Sequence, residues 1–202
     1  MNIEDLLKDP EKAKEVLEKA LDDKNKELAE ILIPIVKDPY LIYKYAHDVV
    51  KGKIKDEWED IIARDSYAAF NYAYRVLRSP FPKGEDVIAQ NGEYACLYAR
   101  DILKSPWPKV EDVIAAEPYF SYLYAKDVLK DRFKKGEKTM LTTKDWRLSA
   151  YLTFLKEIGK LDEFYMDYSA TGLLEKYTKF LKKIHELNDF LRIHPEFKQW
   201  VK

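Results

Sequence analysis

Few residues in this chain have the types and spacing that bond-making chemistry requires. The three histidines, His47, His185 and His194, are scattered and form no His-Glu-x-x-His pair, and one cysteine, Cys96, cannot build a thiolate metal site. No Gly-rich loop leads into a helix with phosphate-binding spacing, so a nucleotide site of that kind has no support. Carboxylates are plentiful, but Glu85-Asp86 and Glu111-Asp112 sit inside a recurring phrase. Recurrence points to a structural role, because an active site is seldom needed several times. The residue types therefore predict a non-enzymatic protein with no metal and no cofactor.

The phrase itself is "YARDILKSPWPKVEDVIA", Tyr98 to Ala115, and it restates "YAYRVLRSPFPKGEDVIA" from Tyr72. With the Tyr-Ala pair as origin, copies fall at Tyr45-Ala46, Tyr72-Ala73, Tyr98-Ala99 and Tyr124-Ala125. Seven residues before each pair stands Asp38, Asp65, Asn91 or Glu117, a helix N-cap column in which Glu is the weakest member. Apolar residues at columns 0, +1, +4 and +5 make a helical stripe. Ala69/Ala73, Ala95/Ala99 and Ser121/Ala125 put small residues within it, where a neighbouring helix can come close. Each second helix is expected to stop at Ser79-Pro80 or Ser105-Pro106, since the residue before proline resists the α region. The first helix of each unit is short and built on Glu59, Glu85 and Glu111, acids that suit its N-terminal dipole. Phe81, Trp107 and Phe133, in the loops, are expected to plug the gaps between units.

A worn fifth copy follows: "KKGEKTM" matches "PKGEDVI", Thr143 falls at the cap column, and Ala150-Tyr151 replaces Tyr-Ala. The expected fold is all-α, a right-handed stack of helix-turn-helix repeats (an α-solenoid) spanning 34–158, with helical caps at 1–33 and 159–202. The C-terminal cap is read from Leu173, Leu174, Tyr177, Phe180, Leu181 and Ile184 at helical spacing, with a short last helix from Pro195. Unit stacking makes one continuous core out of helix pairs that cannot bury their own apolar faces.

This phrase resembles the short "YAxxVLKxRFPxGEExIA" repeats of uncharacterised tailed-bacteriophage proteins, over about Ile35 to Lys156. The departures are Arg75, where other copies hold Asp, and a first interval of 27 residues against 26. That family carries no established activity. The resemblance implies a phage accessory protein working in the bacterial cytoplasm.

Lys+Arg 35 against Asp+Glu 36 gives a formal charge of -1, so no global field recruits nucleic acid or membrane. A single cysteine suits a reducing compartment, and no apolar run is long enough for a span. Tyr45, Tyr72, Tyr98 and Tyr124 share the aliphatic stripe and read as core. The outward columns +2 and +6 hold His47 and Lys51, Tyr74 and Arg78, Arg100 and Lys104, Lys126 and Lys130, and the bases continue through Arg132. Arg78, Arg100, Lys104, Lys126, Lys130 and Arg132 are thus the candidate macromolecule-binding residues. Against this stands the possibility that they pair with the acidic first helices or with Asp48, Asp101 and Asp127, each such surface pair contributing about 0–1 kcal/mol. The expected function is docking on a host protein, with RNA, single-stranded DNA or a nucleotide as the alternative partner and an enzyme of unrecognised type third.

Overall fold

In the computed structural model the described residues are Leu6, 8–143 and 146–168, with isolated positions at 172, 191, 192, 195 and 198. They form twelve α-helices, and there is no strand among the described residues. The expected apolar face of 173–184 lies outside them. No helix among them is long and apolar enough to cross a membrane. The chain divides into two compact units, Met1–Lys104 and Ser105–Lys202.

In the first unit α1 (Pro10–Asp22) packs on α2 (Lys26–Val36). Three repeat pairs follow in order. The second helices α3 (Pro39–Lys44), α5 (Ser66–Asn71) and α7 (Gly92–Tyr98) pack side by side, α3 on α5 and α5 on α7. The short first helices α4 (Asp56–Ile62) and α6 (Glu85–Ile88) lie between them in sequence. The second unit holds α8 (Glu111–Ala115), α9 (Pro118–Leu123), α10 (Lys134–Thr142), α11 (Trp146–Glu157) and α12 (Leu161–Tyr168).

The cap column behaves as its chemistry requires. Asp38, Asp65 and Asn91 accept the backbone N–H three residues on, at 3.1, 2.8 and 3.1 Å, whereas Glu117 makes no such bond. Glu carries one methylene too many for the short loop an N-cap closes.

Each second helix then widens. Tyr45–Val50, Tyr72–Leu77, Ala99–Leu103 and Tyr124–Leu129 are π-helical turns. The helix does not run to the Ser-Pro step as the sequence predicts. It stops one residue earlier, at Arg78 and Lys104, and the copies without Ser-Pro stop at Lys51 and Lys130; the φ values of Lys51, Arg78, Lys104 and Lys130, 56, 53, 53 and 53°, are left-handed. The N–H groups of Lys51, Lys104 and Lys130 close the turn on the carbonyls of Ala46, Ala99 and Ala125. Because the chain turns away there, columns +4 and +5 are only half-buried in every copy, while columns 0 and +1 are fully buried.

The repeated tyrosine ties three motif columns together. Tyr72, Tyr98 and Tyr151 donate their hydroxyls to Glu59, Glu85 and Glu137 at 2.8, 3.0 and 2.7 Å. The same hydroxyls accept the backbone N–H of Ile54, Phe81 and Phe133, and Tyr124 accepts that of Trp107. Burial and the neighbouring glutamates push the hydroxyls of Tyr72, Tyr98 and Tyr151 well above the usual tyrosine range. Phe81 and Phe133 are buried and meet Tyr72 and Tyr124 edge-on at 5.2 and 5.1 Å, filling the gap between successive pairs. Cys96 is buried in its column, alongside Phe70 and Tyr43 in theirs.

The fifth copy needs one correction. Tyr151 takes over the tyrosine role itself, displaced by a single extra residue between Glu137 and the ring. Its helix, α11, has no π turn. Thr143 ends α10, and its hydroxyl bonds back to the Met140 carbonyl.

Candidate binding surface

The bases of this protein differ in how they are engaged, and Lys19, Lys24, Lys37, Arg64 and Lys156 form no ion pair among the described residues. Most bases away from column +6 are engaged. Lys14 pairs with Asp38 at 3.0 Å and Lys44 with Asp22 at 2.6 Å. Lys83 joins Asp56 and Asp60, and in the second unit Lys135 joins Glu111 and Asp112. At column +2, His47 bonds Asp48 at 2.6 Å, and Arg100 holds Asp101 through two bonds of 2.7 and 2.8 Å. Lys126 bonds the Tyr122 hydroxyl at 3.2 Å and lies 5.6 Å from its ring centre. Column +6 belongs with the bases that have no such partner. Lys51, Arg78, Lys104 and Lys130 are exposed and form no ion pair among the described residues.

Of the six bases picked from the sequence, Arg78 and Lys104 in the first unit and Lys130 in the second are exposed and have no ion pair among the described residues. Lys126 is exposed but engaged by Tyr122. Arg100 is half-buried against Asp101, which weakens its standing as a docking residue. Arg132 is a correction. Its side chain is 4% exposed, bonds Glu137 twice at 2.8 Å and Asp167 at 2.8 Å, and lies 5.7 Å from the centre of the Phe164 ring. The Glu137 that Arg132 neutralises is the same carboxylate that takes the Tyr151 hydroxyl, so Arg132 belongs to the core. Burial also removes Phe81 and Phe133 as docking residues.

In the first unit the π turns of the three repeats lie beside one another. This brings Arg78 and Lys104 to one open cleft of about 680 Å³, together with His47, Tyr74, Arg75 and Asp101. Arg75, the departure from the repeat consensus, is aimed by its Nε–H bond to Asn71 at 3.1 Å, and Asn71 is in turn held by the Tyr67 carbonyl. A second hollow of about 470 Å³ shares His47 and adds Lys24, Lys44 and Lys51. Lys24 follows α1 and is left-handed too, with φ 55°.

Sequence reasoning missed a feature of the same unit. Tyr40 and Tyr67, each two residues past its cap, are 48% and 42% exposed and lie 5.9 Å apart; Tyr94, half-buried, lies 6.0 Å from Tyr67. Tyr43 and Phe70 lie behind this ladder, and Phe70 stacks on both Tyr94 and Tyr74, 5.5 and 5.6 Å away. The signal was present as a repeated Tyr just after the cap.

No cluster among the described residues has the makings of a metal site. Compared with family models, with curated proteins and with solved structures, the chain matches none of them.

Proposed function

We propose that this is a non-enzymatic interaction protein whose helix pairs stack as a right-handed α-solenoid and whose column +6 bases dock on an acidic protein surface, modulating or inhibiting that partner. The resemblance to phage repeats makes the partner a host protein and the setting the bacterial cytoplasm. One observation carries this most. At a left-handed helix end, glycine is the favoured residue and a side-chain-bearing one costs about 1–2 kcal/mol. Each of the four repeats with a π turn nevertheless places Lys or Arg there, and none of these forms an ion pair among the described residues, while Lys44, Lys83 and Arg100 are paired. A cation at a helix C-terminus recovers about 0.3–1 kcal/mol from the dipole, which offsets the strain only in part. Binding supplies the remaining reason.

The formal charge of -1 favours a protein over nucleic acid, because a sequence-blind phosphate binder needs a basic domain. The test is capture from bacterial lysate by immobilised wild-type chain beside a Lys51→Glu/Arg78→Glu/Lys104→Glu/Lys130→Glu variant. Loss of an acidic protein from the variant's captured set is expected. Identical sets would overturn the proposal, and loss of nucleic acid alone would transfer the surface to the alternative partner.

A further inference from the structure

We infer that the tyrosine ladder of the first unit is the seat of an acidic amphipathic helix, supplied by the partner. This rests on the proposed docking role and names the face and the kind of segment that occupies it. Three rungs, Tyr40, Tyr67 and Tyr94, repeat at 5.9 and 6.0 Å. An α-helix rises about 1.5 Å per residue, so side chains at i and i+4 step by about 6.0 Å, which matches each interval between neighbouring rungs. A strand, whose alternate side chains step by about 6.6 Å, matches either interval less closely.

The charge of the occupant follows from the cleft beside the ladder, since Tyr94 itself lies near Glu93 and Asp65. Phe70 stacks on Tyr94 and on Tyr74, and Tyr74 opens onto the cleft that holds Arg75, Arg78 and Lys104. A helix with an apolar stripe on the rungs would bring its flanking carboxylates to those bases, a helix-in-groove mode with charge fixing the register. Exposed tyrosine beside arginine is also the residue combination that dominates protein interface energies. Nucleotide bases fit less well. The rungs meet at 46° and 74° and so present no set of parallel faces for successive bases, and Phe70 already covers faces of Tyr74 and Tyr94 at 9° and 20°.

The experiment uses the full chain and a fluorescein-labelled helical peptide with Leu at i, i+4 and i+8 and Glu on the flanking positions. A peptide of the same composition with the Leu positions scrambled and an oligothymidylate serve as competing probes. Tyr67→Ser is expected to weaken the patterned peptide about tenfold or more, as loss of a hot-spot aromatic does. Tyr67→Phe should bind close to wild type, and melting curves of both variants report their folding. Arg78→Glu/Lys104→Glu should weaken binding and flatten its salt dependence. If the charge variant loses binding while Tyr67→Ser keeps it, the ladder inference falls and the docking role of the bases stands. If neither variant changes binding, both fall. Equal binding of the scrambled peptide, or tighter Tyr67-dependent binding of oligothymidylate, would also overturn the helix assignment.

Discussion

The hydroxyl of Tyr98 accepts the backbone N–H of Phe81 at 2.7 Å while donating to Glu85 at 3.0 Å. One phenol thereby ties both the linker backbone and the first-helix acid of one segment to the second helix, and the pattern recurs at Tyr72 and Tyr151. Replacing Tyr98 with Phe keeps the ring but leaves a buried N–H without its acceptor. Destabilisation of about 1–3 kcal/mol is expected, read as a lower urea midpoint. Tyr67→Phe, on an exposed ring, should fall within about 0.5 kcal/mol of wild type.

Gly84 marks where small residues are required. A methyl group built there would stand 2.6 Å from the Phe81 ring and 2.8 Å from the Ala69 methyl. Gly84→Ala should therefore destabilise by about 1–3 kcal/mol through overpacking. Gly52 has nothing within 4 Å, and Gly52→Ala should be neutral or stabilise by up to about 1 kcal/mol. Thermal unfolding of the two variants separates them.

Arg132 should behave as a core residue. Arg132→Ala strips the buried Glu137 of its partner, a change that costs about 3–5 kcal/mol when one member of a buried pair is removed. Its effect on capture of an acidic partner should follow only from lost folding, so a folded variant with selectively lost capture would return Arg132 to the docking surface.

Asp38 links stability to pH. Burial pushes its carboxyl up, but the ion pair with Lys14 and the Leu41 and Tyr40 amides outweigh this and hold it below its ordinary value of 3.8. A group depressed in the folded state stabilises above its unfolded value, and that stability disappears as pH falls through the folded value. Asp38→Asn keeps an N-cap acceptor and removes the charge. The wild type should thus be the more stable at neutral pH, with the difference shrinking as pH falls below the ordinary value of 3.8 and through the lower folded one. A difference that persisted in acid would assign Asp38's contribution to the cap alone.

Much of this arrangement was legible in the residues. Asp38, Asp65 and Asn91 announced helix starts, Glu117 its weaker version, and the Tyr45, Tyr72, Tyr98 and Tyr124 column its burial. The π turns were not legible, because residue type and apolar spacing barely distinguish a bond to the fifth residue from one to the fourth. Lys51 and Arg78 gave no warning of a left-handed backbone, since Gly or Asn is the usual sign of one. Arg132 misled for a physical reason: its neutralising partners, Glu137 and Asp167, are brought to it by packing, and Asp167 lies far along the chain. The tyrosine ladder was hidden by composition, with fifteen tyrosines spread over buried and exposed columns alike.

Lys51, Arg78, Lys104 and Lys130 bear the central claim, that these bases stand at strained helix ends for binding rather than for the fold. The most direct measurement is capture of the acidic partner by a variant with glycine at all four positions. Glycine suits the left-handed backbone and removes the charge, so the urea midpoint should stay within about 0.5 kcal/mol per site of wild type, or rise. Capture should be lost at that unchanged stability. Retained capture, together with a loss of about 1 kcal/mol or more per site, would contradict the claim and leave the bases as helix caps alone.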